Sequence, residues 1–382
     1  GSVGASGKVA AGLQAIYTRD ASTTSALISN GSVLTVSDSV EVFASNKKDS
    51  HEILIAGAGA GKGAITANVV LNNIKDTTTA KVDNGSTENE IKAGSISVVA
   101  DEDIDNSHIV VSASVAANVA LDVSPTINNY EMTTIALINN ATVKDASISM
   151  NAQSKLGTLD VAVGIAGVAQ GLSGVGNAIK NVYTNTVKSY IDNAVIDTSG
   201  NIAINSNSII DSGNWLGSVS VAVQGVSLIA NLILNDVNST VEADIKNSDV
   251  KKAGAITINA NKEKQDKFEN RAAVIGVVVQ GGTASVNLVK NAYHNTVKSY
   301  VDNTSSTVID SLTVGANTDR KLDNLNIGIG AAIEGVDLTA NALVNELNST
   351  TVSYINAGSK TLNITNALNL NANDRVIAQN KV

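Results

Sequence analysis

Few side chains in this sequence have the type and spacing that catalysis or metal binding requires. The chain contains three histidines, His51, His108 and His294, and no cysteine. His294 occupies a repeat position that Thr or Asn holds elsewhere, whereas His51 and His108 fall in stretches of variable length. We therefore expect all three histidines to be surface residues rather than metal ligands or general acids and bases.

Two further stretches could suggest a metal-binding or phosphate-binding site, but neither has the pattern that such a site requires. The acidic run 101-DEDID-105 follows the alternating segment 94-GSISVVA-100, so it is predicted to be a solvated loop between units. The glycine-rich run 56-AGAGAGKGAIT-66 has Ala56 and Gly63 where a phosphate-binding loop needs Gly and Ser or Thr. The sequence thus predicts no enzyme activity, no catalytic residue, no metal site and no cofactor.

Composition narrows the class of protein further. The 382 residues include 46 Asn, one Trp (Trp215), one Pro and only 3% aromatic residues, and the net charge is −9. An acidic chain is a poor partner for nucleic acid. No apolar run is long enough for a membrane-spanning helix, although long apolar alternations leave membrane insertion open.

A unit of about 54 residues repeats along the whole chain. Its skeleton is N-x3-N-x4-T-x4-[IV]-x-N, best seen in 177-NAIKNVYTNTVKSYIDN-193 and 287-NLVKNAYHNTVKSYVDN-303. The [IV] position, which we call the anchor, recurs at steps of 54, 56, 53, 54, 56 and 54 residues, namely at Ile28, Val82, Ile138, Ile191, Ile245, Val301 and Ile355. The chain is therefore predicted to be one solenoid segment with units roughly at 3–52, 53–108, 109–160, 161–215, 216–272, 273–325 and 326–382.

Certain positions recur in each unit without slippage. Asn stands ten residues before the anchor and Thr five before it, which predicts structural ladders that include Asn181, Asn235, Asn291, Asn345, Thr186, Thr240, Thr296 and Thr350. Asn also stands two residues after most anchors, as at Asn30 and Asn193, where coil corners require a left-handed backbone. Gly stands twenty before the last four anchors, where an internal turn is expected.

These patterns favour an all-β protein, a parallel β-solenoid (β-helix) built from seven repeats. Val, Ile, Thr, Tyr and Asn dominate the units, and segments such as 217-GSVSVAVQG-225 alternate with period two. A solenoid with one helix per unit is the main alternative. The sign of the charge alternates between units at Lys188, Glu242 and Lys298, which favours one coil per repeat over two.

Tyrosines and one charged stretch are the sites where contact with a partner is expected. Tyr190, Tyr300 and Tyr354 each stand one residue before an anchor, so strand parity places them opposite the anchor's face. Such a row is either an exposed contact surface for a sugar or protein, or a cover for the edge of the coil. The stretch 261-NKEKQDKFEN-270 is the most plausible protruding contact loop.

The repeats resemble the passenger repeats of very large Gram-negative exoproteins. The best copies are 219-VSVAVQG-225, 231-NLILNDVNSTVEADIKN-247 and 254-GAITINA-260. The nearest family is the leukotoxin-like exoproteins of fusobacteria, with filamentous-haemagglutinin-type adhesins as more general relatives. The resemblance implies a virulence protein that is secreted, as an autotransporter or by two-partner secretion, or displayed on the bacterial surface.

From this resemblance we expect contact with a host cell-surface protein or glycan. The alternatives are a polysaccharide-processing β-helix enzyme, a toxin that inserts into membranes and a purely structural stalk. The opening Gly1-Ser2 looks like a cloning scar, so the chain is expected to be a piece of a larger protein. Its end coils would then offer unpaired strand edges and invite end-to-end self-association.

Overall fold

A computed structural model describes residues 1–29, 31–261 and 266–382. Within these ranges every regular element is a β-strand, and each strand pairs in parallel with the strands one coil before and after it. The protein is therefore an all-β parallel β-solenoid, as the repeat pattern predicts. The alternative with one helix per unit is wrong for the described part of the chain.

The strands differ widely in length because most coils run through their turns without a break in pairing. The first nine are β1 Ser2–Ser6, β2 Val9–Ser29, β3 Leu34–Thr35, β4 Ser39–Ala60, β5 Gly63–Asp83, β6 Glu90–Lys92, β7 Ser95–Ala116, β8 Val119–Asn139 and β9 Thr142–Lys144. The others are β10 Ser147–Asp192, β11 Val195–Asp197, β12 Ile202–Lys246, β13 Asp249–Asn261, β14 Asp266–Asp302, β15 Ser305–Asn356 and β16 Ile364–Lys381.

Each coil is one repeat. Ile191 pairs with Ile245 and Ile245 with Val301, so successive anchors stack directly. A coil has an outgoing segment, a tight turn and a returning segment, and we number coils 1 to 7 by their returning segments, 9–29, 63–83, 119–139, 172–192, 226–246, 282–302 and 336–356. The outgoing segments of coils 2 to 5 are 39–60, 95–116, 147–168 and 202–222.

The outgoing and returning segments form two broad sheets that pack face to face. About 21 residues per segment give a flattened coil about 70 Å wide at 3.3 Å per residue. Inward side chains alternate between apolar and polar along the returning segment of coil 4. The apolar set is Val175, Ile179, Tyr183, Val187 and Ile191, and the polar set is Asn177, Asn181, Asn185 and Ser189.

Glycine makes the tight turn between the two segments. Gly171, Gly225 and Gly281 have φ values of 98°, 131° and 134°, and they stack on one another. A Cβ on Gly225 would overlap the carbonyl oxygen of Gly171 in the coil beneath. The recurring glycine is thus required both by the left-handed backbone and by the close approach of neighbouring coils.

Asparagine makes the opposite corner. Asn140, Asn193, Asn247 and Asn303 have φ values of 48°, 49°, 50° and 46°, which confirms the left-handed corner predicted from the repeat. Their side chains also join coils, because Asn193 donates to Asn140 at 2.6 Å and Asn303 donates to Asn247 at 2.9 Å. Asn30, predicted for the same role, lies outside the described residues.

Candidate contact surface

The Asn ladder lies inside the solenoid. Asn181 donates to Asn235 at 3.2 Å, Asn235 to Asn291 at 2.8 Å and Asn291 to Asn345 at 2.9 Å. The first three of these side chains are at least 98% buried. They cannot meet a large ligand, so their role is to hold the coils together.

A second amide column on the outgoing sheet faces the first. Asn214 donates to Asn270 at 2.9 Å, and Asn270 donates to Asn324 at 2.7 Å. The two columns are bonded across the interior, since Asn181 donates to Asn214 at 2.7 Å. This double ladder satisfies amide groups that would otherwise be buried without partners.

The Thr column lies on the outer face. Thr186, Thr240, Thr296 and Thr350 are paired in register through successive coils. The first three are half-buried and Thr350, in coil 7, is exposed. Their β-branched side chains suit strand positions on an exposed sheet.

The tyrosines before the anchors also point outward, and Asp244 completes their column. Tyr190, Asp244, Tyr300 and Tyr354 occupy equivalent positions in coils 4 to 7. The rings of Tyr300 and Tyr354 stack with centroids 4.8 Å apart and planes 5° apart. Lys246 Nζ lies 4.5 Å from the ring centroid of Tyr190. We call these four residues the tyrosine column.

Asp244 is enclosed by this column although its position faces outward. Its side chain is 1% exposed. Burial raises the pKa of Asp244 to about 7, against the opposing effect of Lys246 at 3.8 Å. Burial, reinforced by the charge of Asp244, raises the pKa of Tyr300. The tyrosine column therefore encloses a buried acid between Tyr190 and Tyr300.

Ion pairs border the tyrosine column. Lys188 Nζ lies 2.6 Å from Glu242 in the next coil. Lys246 Nζ lies 3.9 Å from Asp192. The alternation of charge sign seen in the sequence is therefore a set of contacts between stacked coils, which is the arrangement expected for one coil per repeat.

The prediction that all histidines lie on the surface is wrong for His108. His108 lies within β7 and is 1% exposed, with Nδ1 2.7 Å from Asp160 and Nε2 3.5 Å from Glu52. Those two carboxylates belong to the coils before and after that of His108. No sequence pattern close to His108 therefore predicts these contacts. His51 and His294 are exposed, as expected.

The prediction of a loop at 101–105 is also wrong. These residues continue strand β7, and alternate side chains point into the solenoid. Glu102 is completely buried and accepts a hydrogen bond from Thr134 at 2.6 Å. Burial raises the pKa of Glu102 to about 7. A strand accepts this acidic run because only every second residue must be buried.

The prediction of a protruding loop at 261–270 is wrong for residues 266–270, which belong to β14 and place Asp266, Phe268 and Asn270 inside the solenoid. Asn261 ends β13, and Asp266 begins β14. Residues 262–265 lie outside the described residues, so the contact prediction for this stretch stays a prediction.

Comparison with protein-family models, curated proteins and solved structures yielded no match to the chain. Among the described residues, no group of three or more His, Asp or Glu side chains is placed to hold a metal ion. The same residues contain no helix with the length and hydropathy to span a membrane.

Proposed function

We propose that this solenoid is a segment of a secreted or surface-exposed bacterial virulence exoprotein, of the leukotoxin or adhesin type, that contacts host cells. The bacterial setting rests on the resemblance of its repeats to the passenger repeats of large Gram-negative exoproteins. The contact itself rests on the tyrosine column, an outward row of aromatic side chains on a rigid sheet.

The tyrosine column has the properties of a protein contact. Tyrosine supplies a large, amphipathic contact area with few rotatable bonds, so it loses little entropy on binding. Tyr300 and Tyr354 are already stacked in the free protein. A partner would therefore meet a preorganised surface rather than one it must order.

The contrast between inner and outer positions supports a contact role for the outer face. The inward position ten before the anchor is Asn in coils 2 to 7. The outward position one before the anchor is Lys81, Leu137, Tyr190, Asp244, Tyr300 and Tyr354 in the same coils. The stacking of coils requires the inward Asn residues. The outward residues vary from coil to coil and are available to a partner at the surface.

The proposal is tested by binding the fluorescently labelled chain to leukocytes and epithelial cells. We expect saturable binding that falls about tenfold or more in the double variant Tyr300→Ser, Tyr354→Ser, the usual effect of removing aromatic contacts. Tyr17→Ser is the matched control, because Tyr17 is 66% exposed and lies in coil 1, far from the tyrosine column.

Two results would contradict the proposal in different ways. Cell binding no greater than that of an unrelated β-solenoid would reduce this segment to a stalk or spacer. Equal binding by the wild-type chain and the double variant, with unchanged circular dichroism, would place the contact on another surface.

A further inference from the structure

A cleft opens on the outer face of the outgoing sheet, away from the tyrosine column. It has a volume of about 380 Å³ and spans coils 3 to 6. Its wall includes Trp215, the one Trp of the chain, whose side chain is 47% exposed. An exposed Trp beside a cleft needs an explanation, because Trp is usually largely buried.

Two glycines create the cleft. Gly157 lies in register between Asp105 and Asp211 of the neighbouring coils, and Gly213 lies between Leu159 and Glu269. Neither glycine has a positive φ, so the backbone does not require glycine at these positions. A glycine inside a strand weakens the strand, and such positions often mark the close approach of a ligand.

Leu159 and Trp215 border the space beside Gly213. A Cβ at Gly213 would lie 3.1 Å from Leu159 Cδ1 and 3.9 Å from the indole Nε1. Arg271, in register with Trp215 in the next coil, is paired with Asp323 at 2.9 Å and Glu269 at 3.0 Å. The indole therefore borders the cleft next to an arginine whose charge is already paired.

The free charges of the cleft are carboxylates. Lys155 pairs with Asp103 at 3.1 Å and Lys267 with Glu269 at 3.3 Å. The side chains of Asp105 and Asp211 have no hydrogen bond or ion pair with any residue that the structure describes. Both are exposed and lie two coils apart, which corresponds to about 10 Å between their strands.

We infer that this cleft binds one ring of a neutral oligosaccharide. A pyranose ring has a face of C–H groups that packs on an indole and an edge of hydroxyl groups that donate hydrogen bonds. Trp215 supplies the aromatic face, while Asp105 and Asp211 supply acceptors at the edge of the cleft. Apolar contact combined with a few convergent polar groups is the usual composition of a small-molecule site.

The same charges select against anionic ligands. A sialylated, sulfated or phosphorylated sugar would bring a negative charge beside two unpaired carboxylates. The inference rests on the proposed host-cell contact, to which it adds a second surface with a neutral glycan as its ligand class.

The test uses the intrinsic fluorescence of Trp215, which reports on this site alone because the chain has no other Trp. The probes are lactose, maltotriose and N,N′,N″-triacetylchitotriose, with 3′-sialyllactose as the anionic comparison. We expect saturable quenching or a spectral shift with at least one neutral probe, at a dissociation constant of about 0.1–10 mM for an open cleft. We expect 3′-sialyllactose to bind at least about tenfold more weakly than lactose if lactose is the probe that binds.

Variants distinguish binding at this cleft from non-specific binding to the protein. Gly157→Val fills the cleft and keeps Trp215, and the nearest atom to its Cβ is Asp105 Oδ1 at 3.1 Å, the end of a flexible side chain. We expect Gly157→Val to abolish the fluorescence change and Trp215→Ala to abolish binding measured by calorimetry. Tyr17→Ala should bind as the wild-type chain does.

No saturable binding by any neutral probe up to about 10 mM, or unchanged binding by Gly157→Val, would overturn the inference. Cell binding is measured in parallel with the same variants. If cells bind the wild-type chain but no neutral sugar does, the proposed function stands and the glycan site fails. If the sugar binds but cells do not, the glycan site stands and the proposed function fails.

Discussion

One inward column of the outgoing sheet is filled in two different ways. Coils 2 to 4 place Glu52, His108 and Asp160 in it, and the next coils place Asn214 and Asn270 there. His108, Asp160, Asn214 and Asn270 are buried and hydrogen-bonded along the column, whereas Glu52 is half-buried with Oε2 3.5 Å from His108 Nε2. The backbone register is continuous between them, so the difference lies wholly in the side chains.

The comparison shows two solutions to the problem of stacking polar groups. A primary amide carries both a donor and an acceptor, so identical Asn residues can bond to each other through any number of coils. Identical carboxylates repel one another. The early coils therefore alternate acid, imidazole and acid, an arrangement that works only where each partner is present.

The early coils contain a second cluster of charged side chains. Lys48 lies 2.5 Å from Asp20 and 2.7 Å from Asp76, and Asp76 is almost completely buried. Asn46 also donates to Asp76, at 3.2 Å. The amino-terminal coils thus add specific pairs to the Asn ladder of the returning sheet, while the later coils repeat the amide on both sheets.

Removal of His108 from the column of Glu52, His108 and Asp160 should reduce the stability of the protein more than any other change proposed below. His108→Ala leaves Asp160 and Glu52 without their shared partner, and we expect a loss of about 3 kcal/mol in the free energy of unfolding. Urea titration would measure the loss, and hydrogen exchange would locate it in coils 2 to 4. His51→Ala, in an exposed position of the adjoining coil, should change the stability by less than about 0.5 kcal/mol. Equal effects of the two variants would refute the importance of the buried pair.

The pH dependence of the unfolding free energy should reveal the contribution of the buried Glu102. Burial raises the pKa of Glu102 from an ordinary value of 4.5 to about 7, with Asp76 reinforcing and Lys48, Thr134 and Asn46 opposing the shift. The stabilisation from this group is complete below pH 4.5 and is lost as the pH rises through 7, because the unfolded chain releases its proton first.

The measurement is the difference in unfolding free energy between the wild-type chain and Glu102→Gln, by urea titration from pH 4.5 to 8. We expect the wild-type chain to lose about 2–3 kcal/mol relative to the variant over this range. Glu41→Gln, in an exposed position, should follow the wild-type curve. A pH-independent difference would mean that Glu102 is already ionised in the folded protein.

Conversion of His108 and Asp160 into asparagines tests whether the two kinds of column are interchangeable. The double variant His108→Asn, Asp160→Asn extends the ladder from Asn214 toward coil 3. We expect its unfolding free energy to lie within about 1 kcal/mol of the wild-type value, since a bonded polar pair replaces another. The single variant Asp160→Asn supplies the intermediate. A loss as large as that of His108→Ala would show that the two solutions are not interchangeable.

Ion pairs on the outer face should contribute least to the unfolding free energy. Lys188 and Glu242 form a close pair in contact with water, so Lys188→Glu should reduce the unfolding free energy by about 0.5 kcal/mol. The swap Lys188→Glu, Glu242→Lys should restore part of this loss, and 1 M salt should remove most of the difference. An effect as large as that of His108→Ala would contradict the contrast between buried and exposed pairs.

Much of the fold can be predicted because a repeat states the same constraint several times. The Asn and Gly positions of the repeat predict corners and turns, and the structure has left-handed Asn193 and Gly225 there. The outward direction of Tyr190 follows from strand parity alone. The burial of His108 and Glu102 cannot be predicted in this way, because coils 2 and 3 depart from the clearer repeat and their strands resemble connections in sequence.

The period, the strand class, the stacking of equivalent residues and the identity of the ladder positions follow from the amino-acid sequence. Tertiary structure alone decided which residues meet across coils and across the two sheets. Asp105, Gly157 and Trp215 belong to three coils, and the cleft they share exists only after those coils stack. The physical reason is that parallel coils join residues more than 50 positions apart, a distance at which periodicity predicts like positions but not the side chains that face them.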